Sequence, residues 1–600
     1  MLLSNLDWVI LGLFFLIVLV IGWITSRKAG KSASEFFLAG RSMPWWLLGI
    51  SMVATTFSAD TPNLVTGFVR EGGVSKNWAW WAFLITGMIT VFIYAKLWRR
   101  SAVDTDLGFY ELRYGGKPAS FLRGFRALYL GIFFNSLIMG TVTLAAIKIG
   151  TIMFNLPEVT TVLIVSVVVV IYSALGGIRG VIWTDFFQFG IAMVGAFYAA
   201  YVAVNQPGIG SLSALIAHPA LEGKLSIFPD VSNPSILITM FIIPIAFQWW
   251  AVWYPGSEPG GGGYIAQRML AAKDEKNAIG ATLLFNFAHY ALRPWPWIIV
   301  ALASIVLYPD LESIRAEFPG ISDKYLGHDI AYPVMLTKLG AGWLGMVVAS
   351  LIAAVMSTLS THLNWGASYM VHDFYNRFVR KGASERELVI VGQVSTVLLM
   401  VISALLALFL LENASQAFEI LLLSGAGSGA IYLLRWFWWR INAWTEIIAM
   451  ISATIVAFIL VLAVPGESLA NELLDGSSMK LLLAVAFTTV VWIVTTFLTR
   501  PESMEVLKQF YLKVTPGGPG WKMVTEELEK EGMDLSAEQS EWDLPQSLLS
   551  VLLGSIGIYS ALFSIGSFVY GNILTGILLA VVVAASVFLL FRTWSKLQIR

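Results

Sequence analysis

The stretch from Ala354 to Thr361 has residue types and a spacing suited to holding a small hard cation. Ala354, Ser357, Thr358 and Thr361 fall at i, i+3, i+4 and i+7, so on a helix they share one stripe and present a ladder of hydroxyls. A hard cation takes several oxygen ligands. Inside a membrane these come from hydroxyls on one helix and from backbone carbonyls released where a neighbouring helix unwinds. A lone Ser or Thr more often bonds the carbonyl four residues back or joins two helices. Other polar residues stand in apolar surroundings. Asp60 and Glu258 interrupt two hydrophobic stretches, and Trp249, Trp250, Trp253 and Tyr254 precede the second of these acids. Such aromatics stack on a sugar ring, cage a cation, or simply pack. Asn286, His289 and Arg293 lie at i, i+3 and i+7, hence on one helical face. An arginine facing a membrane cavity binds a carboxylate. The bland alternatives are that Asp60 caps a helix and that Glu258 pairs with Arg293.

Two interrupted stretches must position these groups. The first runs from Trp45 to about Val69 and carries Thr55, Thr56, Ser58, Asp60, Thr61, Pro62 and Asn63 at its centre. The second, from about Ile236 to Ile265, carries Tyr254-Pro-Gly-Ser-Glu-Pro followed by four glycines. Backbone polar groups in a bilayer must be satisfied within the protein, so broken helices survive only where they line a cavity or ligand. A matched pair in corresponding halves points to a midplane solute and ion site. The chain has 600 residues, 57% hydrophobic and 13% charged, against about 25% charged in soluble domains. A polytopic all-α membrane protein follows. Net charge is zero and cysteine is absent, so neither a basic nucleic-acid face nor a disulfide or cysteine-ligated metal is expected.

Apolar runs of about 20 residues begin near residues 6, 45, 78, 122, 159, 180, 236, 276, 341, 386, 415, 444, 479, 547 and 572, which makes fifteen candidate spans. Lys and Arg, including Arg113, Arg268 and Arg435, follow the odd-numbered spans, which places the N-terminus outside and the C-terminus in the cytoplasm of a cell (inner) membrane. Segment 501–546, with its acidic run Glu526 to Glu531, reads as a solvated cytoplasmic linker.

The run Tyr172-Ser-Ala-Leu-Gly-Gly-Ile-Arg-Gly-Val-Ile-Trp-Thr-Asp-Phe-Phe-Gln188 resembles a hallmark of the sodium/solute symporters. Gly40 to Trp46, Tyr264 to Lys273, and Ala354 to Thr361 continuing to Tyr375 agree with it in order. The resemblance covers roughly residues 1 to 465. It implies one leading helix (1–40), a first five-helix repeat (41–205), a second inverted repeat (206–440), and added C-terminal helices (441–600). It also implies a sodium between Ala54 and Phe57 of the first broken span and Ala354, Ser357 and Thr358 of the ninth. Some members hold a second sodium through an aspartate placed like Asp185, here with Ser360 and Thr361 available. Capping of a helix N-terminus is the alternative role for Asp185.

The expected function is sodium-coupled symport of a small polar organic solute by alternating access, with no cofactor beyond Na⁺ as coupling ion. Partners are the solute, Na⁺ and the bilayer, with no nucleic acid. Sugar-carrying members bond hydroxyls through Asn, Gln and Glu at positions where this chain has Thr56, Asp60 and Thr61, so their site does not transfer. The solute candidates are Thr56, Ser58, Asp60, Thr61, Trp250, Trp253, Glu258, His289 and Arg293, and a sugar or sugar acid stands slightly ahead of an amino acid or amine. A nutrient sensor derived from a transporter and a proton-coupled permease of the same fold are the rivals. An enzyme is not expected: no phosphate loop or His-Glu-x-x-His motif is present, and the five histidines are scattered.

Overall fold

The computed structural model describes residues 3–29, 39–56, 58–103, 105–173, 178–535, 543–594 and 597, and among these it is all-helical, with two isolated backbone bridges and no strand. In chain order the main helices are α1 (Asn5–Ala29), α2 (Trp45–Thr55), α3 (Asp60–Gly72), α4 (Val74–Ser101), α5 (Gly116–Phe154), α6 (Glu158–Ser173) and α7 (Ile178–Val204). Then come α8 (Pro234–Ala251), α9 (Gly263–Ala271), α10 (Glu275–Leu307), α11 (Trp343–Val379), α12 (Glu385–Phe409), α13 (Ala414–Ser424) and α14 (Gly429–Leu434). The chain closes with α15 (Ala443–Leu462), α16 (Gly476–Leu498), α17 (Met504–Val514), α18 (Lys522–Lys530), α19 (Leu544–Val569) and α20 (Ile573–Trp594). Eleven helices among the described residues are long and apolar enough to cross a membrane, and four shorter apolar helices accompany them.

Several helices begin where a short polar side chain takes up an orphan N–H. Asp274, Ser384, Asn413, Asn442 and Asp475 each accept from the backbone N–H three residues on, starting α10, α12, α13, α15 and α16. Both expected interruptions are present. Helix α2 ends at Thr55 and α3 begins at Asp60. Helix α8 ends at Ala251, Val252 is extended, and helix resumes only at Gly263. Gly256, Gly260 and Gly261 take positive φ of 81°, 76° and 74° there, which a side chain disfavours.

A third break lies between α13 and α14, at residues 425–428. Trp253 N donates to Gly425 O (3.0 Å) and Gly427 N to Ala251 O (2.8 Å), so the two unwound segments pair with each other. A Cβ on Gly425 would run into Trp253 O. The sequence Ser424-Gly-Ala-Gly-Ser-Gly429 is the local signal for this break, masked by its apolar flanks.

The long helices are also locally widened, with π-turns at Tyr129–Phe134 in α5, Ala288–Leu292 in α10 and Tyr369–Val379 in α11. Helix α7 packs against α1, α2 and α11, and α2 lies along the first half of α10, where a Cβ on Gly49 would sit 2.8 Å from Ala281 O.

Two expectations need correction. Within segment 501–546, residues 501–535 are not a solvated linker. Leu507, Phe510, Trp521, Val524 and Leu528 are buried, and Trp521 donates from its indole to Trp436 O (2.8 Å). The Glu502 carboxylate accepts from Gly115 N (2.9 Å) and Ala443 N (3.2 Å), tying the segment to two helix starts. The amphipathic pattern of α17 and α18 builds a docked layer, and the acidic run lies on its outer side. Nor are Arg113, Arg268 and Arg435 loop charges, since all three are buried. Arg113 donates to the carbonyls of Arg435, Trp438 and Trp439 at 2.7, 3.0 and 3.4 Å, and Arg435 pairs with Glu446. Guanidinium groups here satisfy carbonyls at a helix end within the protein.

Candidate functional site

The breaks in the α2–α3 and α8–α9 pairs face one cavity of about 120 Å³. Thr55, Thr56, Ser58, Asp60 and Thr61 line it from the first break, and Tyr254, Pro255, Gly256, Ser257 and Tyr264 from the second. Helix α10 adds His289, Tyr290 and Arg293, and α11 adds Thr358 and His362. A narrower crevice continues from Asp60 past Asn63 and Thr141 to Asp329 and Ala414. There Asp329 is held by the buried Lys148 at 2.6 Å and accepts from Ala414 N.

The π-turn at Ala288–Leu292, followed by Pro294 and Pro296, sets the direction of the α10 side chains. Pro294 cannot continue the ordinary ladder, and Arg293 N bonds Ala288 O (3.1 Å) in a widened turn. The extra residue shifts the register. His289 and Arg293 reach the cavity from this widened turn, while Asn286, in the regular helix before it, lies against Gly87 of α4. Arg293 is buried and forms no ion pair with Glu258, whose charged neighbours are Asp106 and Arg126. Arg293 Nη1 donates to Val53 O (3.3 Å) and Thr56 Oγ1 (3.2 Å), and its Nη2 contacts His289 Nε2 at 3.3 Å. An arginine only donates, so His289 Nε2 accepts, and its Nδ1 carries the proton it gives to Thr56 Oγ1 (3.2 Å). Thr56 in turn donates to Val53 O (2.8 Å).

Across the cavity, Asp60 accepts from Thr141 through Oδ2 (3.3 Å). Ser58 Oγ and Asp60 Oδ1 approach each other, yet neither makes a hydrogen bond of ordinary geometry. Asp60 stands at the first turn of α3, but its carboxylate points to Thr141 and the cavity. His362 lines the cavity and is fixed by a reciprocal pair with Asn135, at 2.6 and 2.7 Å.

Beside this cavity, α2, α7 and α11 meet at the buried Asp185. Ser51 Oγ donates to its Oδ2 (2.8 Å) and Ser357 Oγ to its Oδ1 (3.2 Å). The carboxylate therefore bridges the first broken span to the hydroxyl ladder and caps no helix. Its hydrogen-bond partners are Ser51 and Ser357; Ser360 and Thr361 lie further along the same helix. Ser51 and Ala54 fall at i and i+3, so Ala54 shares the face that Ser51 turns toward Asp185. Thr358 is buried and reaches the cavity wall, and Ala354 is buried one turn earlier. Phe57 lies outside the described residues. The buried Arg268 donates to Thr55 Oγ1 (3.1 Å) and acts electrostatically on Asp185. Sequence reasoning missed its role because it sits near a loop rich in lysine.

Three solute candidates lie outside the cavity wall. Trp253 packs on Phe134 with ring centroids 4.6 Å apart and lies under the Arg126 guanidinium. Trp250 bonds Ala246 O through its indole, in line with packing. Glu258 is buried among Asp106, Arg126 and Gly263, behind the second break. Tyr254, Tyr264, Tyr290 and Trp80 take their place in the wall.

The model of the sodium:solute symporter family matches residues 36–453. A sodium/glucose cotransporter of Vibrio parahaemolyticus is 28% identical over 469 residues, covering 75% of this chain and 84% of that protein. Sodium/glucose cotransporter 1 of Oryctolagus cuniculus is 26% identical over 475 residues, covering 73% and 69%. Sodium/myo-inositol cotransporter 2 of Mus musculus is 26% identical over 552 residues, covering 84% and 78%. Among solved structures, a substrate-bound, outward-open Na⁺-coupled sialic acid symporter shares the fold, with a TM-score of 0.63 at 19% identity over 83% of this chain and 99% of that one.

Proposed function

Since the chain belongs to the sodium:solute symporter family, we propose that it is a sodium-coupled secondary symporter that imports a small polar organic solute by alternating access. The observation that carries this reading is the Asp185 bridge between Ser51 and Ser357, set beside a cavity that both broken spans line. Sodium binds where α2 meets α11, on the carbonyls of Ala54 and Phe57 and on Ala354, Ser357 and Thr358. A second sodium uses Asp185 with Ser360 and Thr361. Because Thr358 belongs both to the ion ligands and to the cavity wall, ion binding shapes the solute pocket directly. Each sodium entering adds about 2.3 kcal/mol per 100 mV of membrane potential.

In this reading the four shorter apolar helices join the eleven long ones to make fifteen spans, with the N-terminus outside and the C-terminus in the cytoplasm. The interruptions between α2 and α3 and between α8 and α9 open the two inverted repeats, 41–205 and 206–440. The relatives described as sodium/glucose and sodium/myo-inositol cotransporters put a sugar or sugar acid among the candidate solutes, beside an amino acid or amine.

Purified protein in liposomes, with sodium-dependent uptake measured against an imposed sodium gradient, tests the proposal. Ser357→Ala combined with Thr358→Ala should raise the half-saturating sodium concentration at least tenfold with little change in melting temperature. Unchanged sodium affinity overturns the site. Uptake indifferent to sodium but driven by a proton gradient identifies a proton-coupled permease, and binding without uptake identifies a sensor.

A further inference from the structure

Two groups of opposite charge line the same cavity, Arg293 buried and Asp60 half-buried, and neither has an ionic partner of its own. Arg293 uses three of its five N–H groups, two at Nη1 and one at Nη2, all on neutral acceptors, and its Nε has no partner. Asp60 has one long contact from Thr141 and an Oδ1 without a hydrogen bond of ordinary geometry. The two act on each other electrostatically but form no ion pair. A buried charge without a counter-ion is costly, and the penalty falls when a ligand supplies one. Leaving both unpaired on one small cavity makes sense if the ligand brings both counter-charges.

Resting on the symporter reading above, we infer that the solute is a small zwitterion, its carboxylate held by Arg293 and its ammonium by Asp60. Arg293 is pre-oriented by Thr56 and His289, and its guanidinium, which bonds only neutral acceptors, can meet a carboxylate with charge-assisted bonds. Asp60 only accepts, as an ammonium requires. Tyr254, Tyr290 and Trp80 supply faces for the aliphatic part and for the cation. A neutral sugar would leave both charges unanswered, and a sugar acid would leave Asp60 so.

The test is a thermal-shift and liposome-uptake panel on the full chain with L-alanine, L-serine, L-proline, D-glucose, D-glucuronate and ethanolamine, each with and without sodium. Sodium-dependent stabilisation and uptake are expected for at least one of the three amino acids and for neither sugar nor ethanolamine. Asp60→Asn and Arg293→Gln should each weaken that amino acid at least tenfold while keeping the shift caused by sodium alone, which serves as the control for folding. Sodium-driven uptake of D-glucose, D-glucuronate or ethanolamine in place of the amino acids overturns the inference and leaves the symport reading intact. A protein that sodium does not stabilise, and that accumulates no solute of the panel, overturns both.

Discussion

Replacing Asp185 by asparagine isolates the contribution of a single charge to ion binding. A carboxylate only accepts hydrogen bonds, so it draws the hydroxyl hydrogens of Ser51 and Ser357 toward itself at 2.8 and 3.2 Å. The lone pairs of both oxygens are left directed elsewhere, available to a cation at the α2–α11 junction. Asparagine keeps the shape, but its amide donates at one end. One of the two serines must then accept, and its oxygen is no longer a free ligand. A hydrogen bond to a charged group contributes ~1.5–3 kcal/mol, and ~1.4 kcal/mol corresponds to tenfold in affinity. The expected loss is therefore about 10- to 100-fold in sodium affinity, the range found when groups behind metal ligands are removed. Uptake into liposomes over a range of external sodium gives both the half-saturating concentration and the Hill slope. A rise of that size, with a lower slope if a second ion sits on Asp185, supports the reasoning. The same concentration and the same slope in a variant that purifies and melts like the parent would refute it.

Three further outcomes follow from the packing. Gly425→Ala places a methyl against Trp253 O, and overpacking of this kind costs about 1–3 kcal/mol; the melting temperature of the detergent-purified variant should fall, and an unchanged value would show that the paired breaks are more adaptable than their geometry implies. Trp521→Ala removes a fully buried indole that contacts Phe510 and lies 5.1 Å from the Arg113 guanidinium, a loss on the order of 3–5 kcal/mol. Limited proteolysis should then cut within 501–535 much faster than in the parent, and an identical digestion pattern would refute the docked layer. His328, in the segment between α10 and α11, is held below its ordinary value by burial and by the Arg70 guanidinium, whose Nε donates to its Nδ1 (3.3 Å). A histidine whose value is lowered on folding contributes stability that is complete above the unfolded value near 6.5 and is lost as pH falls below it. His328→Asn should flatten the decline in melting temperature between about pH 7 and pH 5.5, and an equally steep decline would show that another group is responsible.

The broken spans were legible because their signals are local. Polar residues, proline and consecutive glycines within an apolar stretch have few explanations in a bilayer, and the hydroxyl ladder on α11 is a matter of spacing alone. The third break was not legible, since Gly425 to Gly429 reads as ordinary small-residue packing until its partner at 251–253 is known. Solute candidates divided along the same line. Thr56, Ser58, Asp60 and Thr61 reached the cavity because they sit in a break that had been recognised. Trp253 and Glu258 did not, because direction within an unwound segment depends on backbone angles that spacing does not encode, and Trp250, in the last turn of α8, bonds its own helix at Ala246 O.

Helix α10 shows why a regular period can mislead even where it finds the right residues. Asn286, His289 and Arg293 share a face on an ideal helix, yet the π-turn ahead of Pro294 spans Ala288–Leu292 and adds its extra residue ahead of Arg293. Asn286 lies against Gly87, and Arg293 is set against Thr56 and His289. The same distortion thereby aims a guanidinium into a cavity that already holds an aspartate. A regular helix would point that arginine about 20° per heptad away from an exact repeat, whereas a widened turn moves it by nearly a third of a revolution. Such turns concentrate at functional sites, and here the proline that forces one lies directly after the residue it orients. The charge pattern of the pocket is thus a consequence of where the α10 ladder fails.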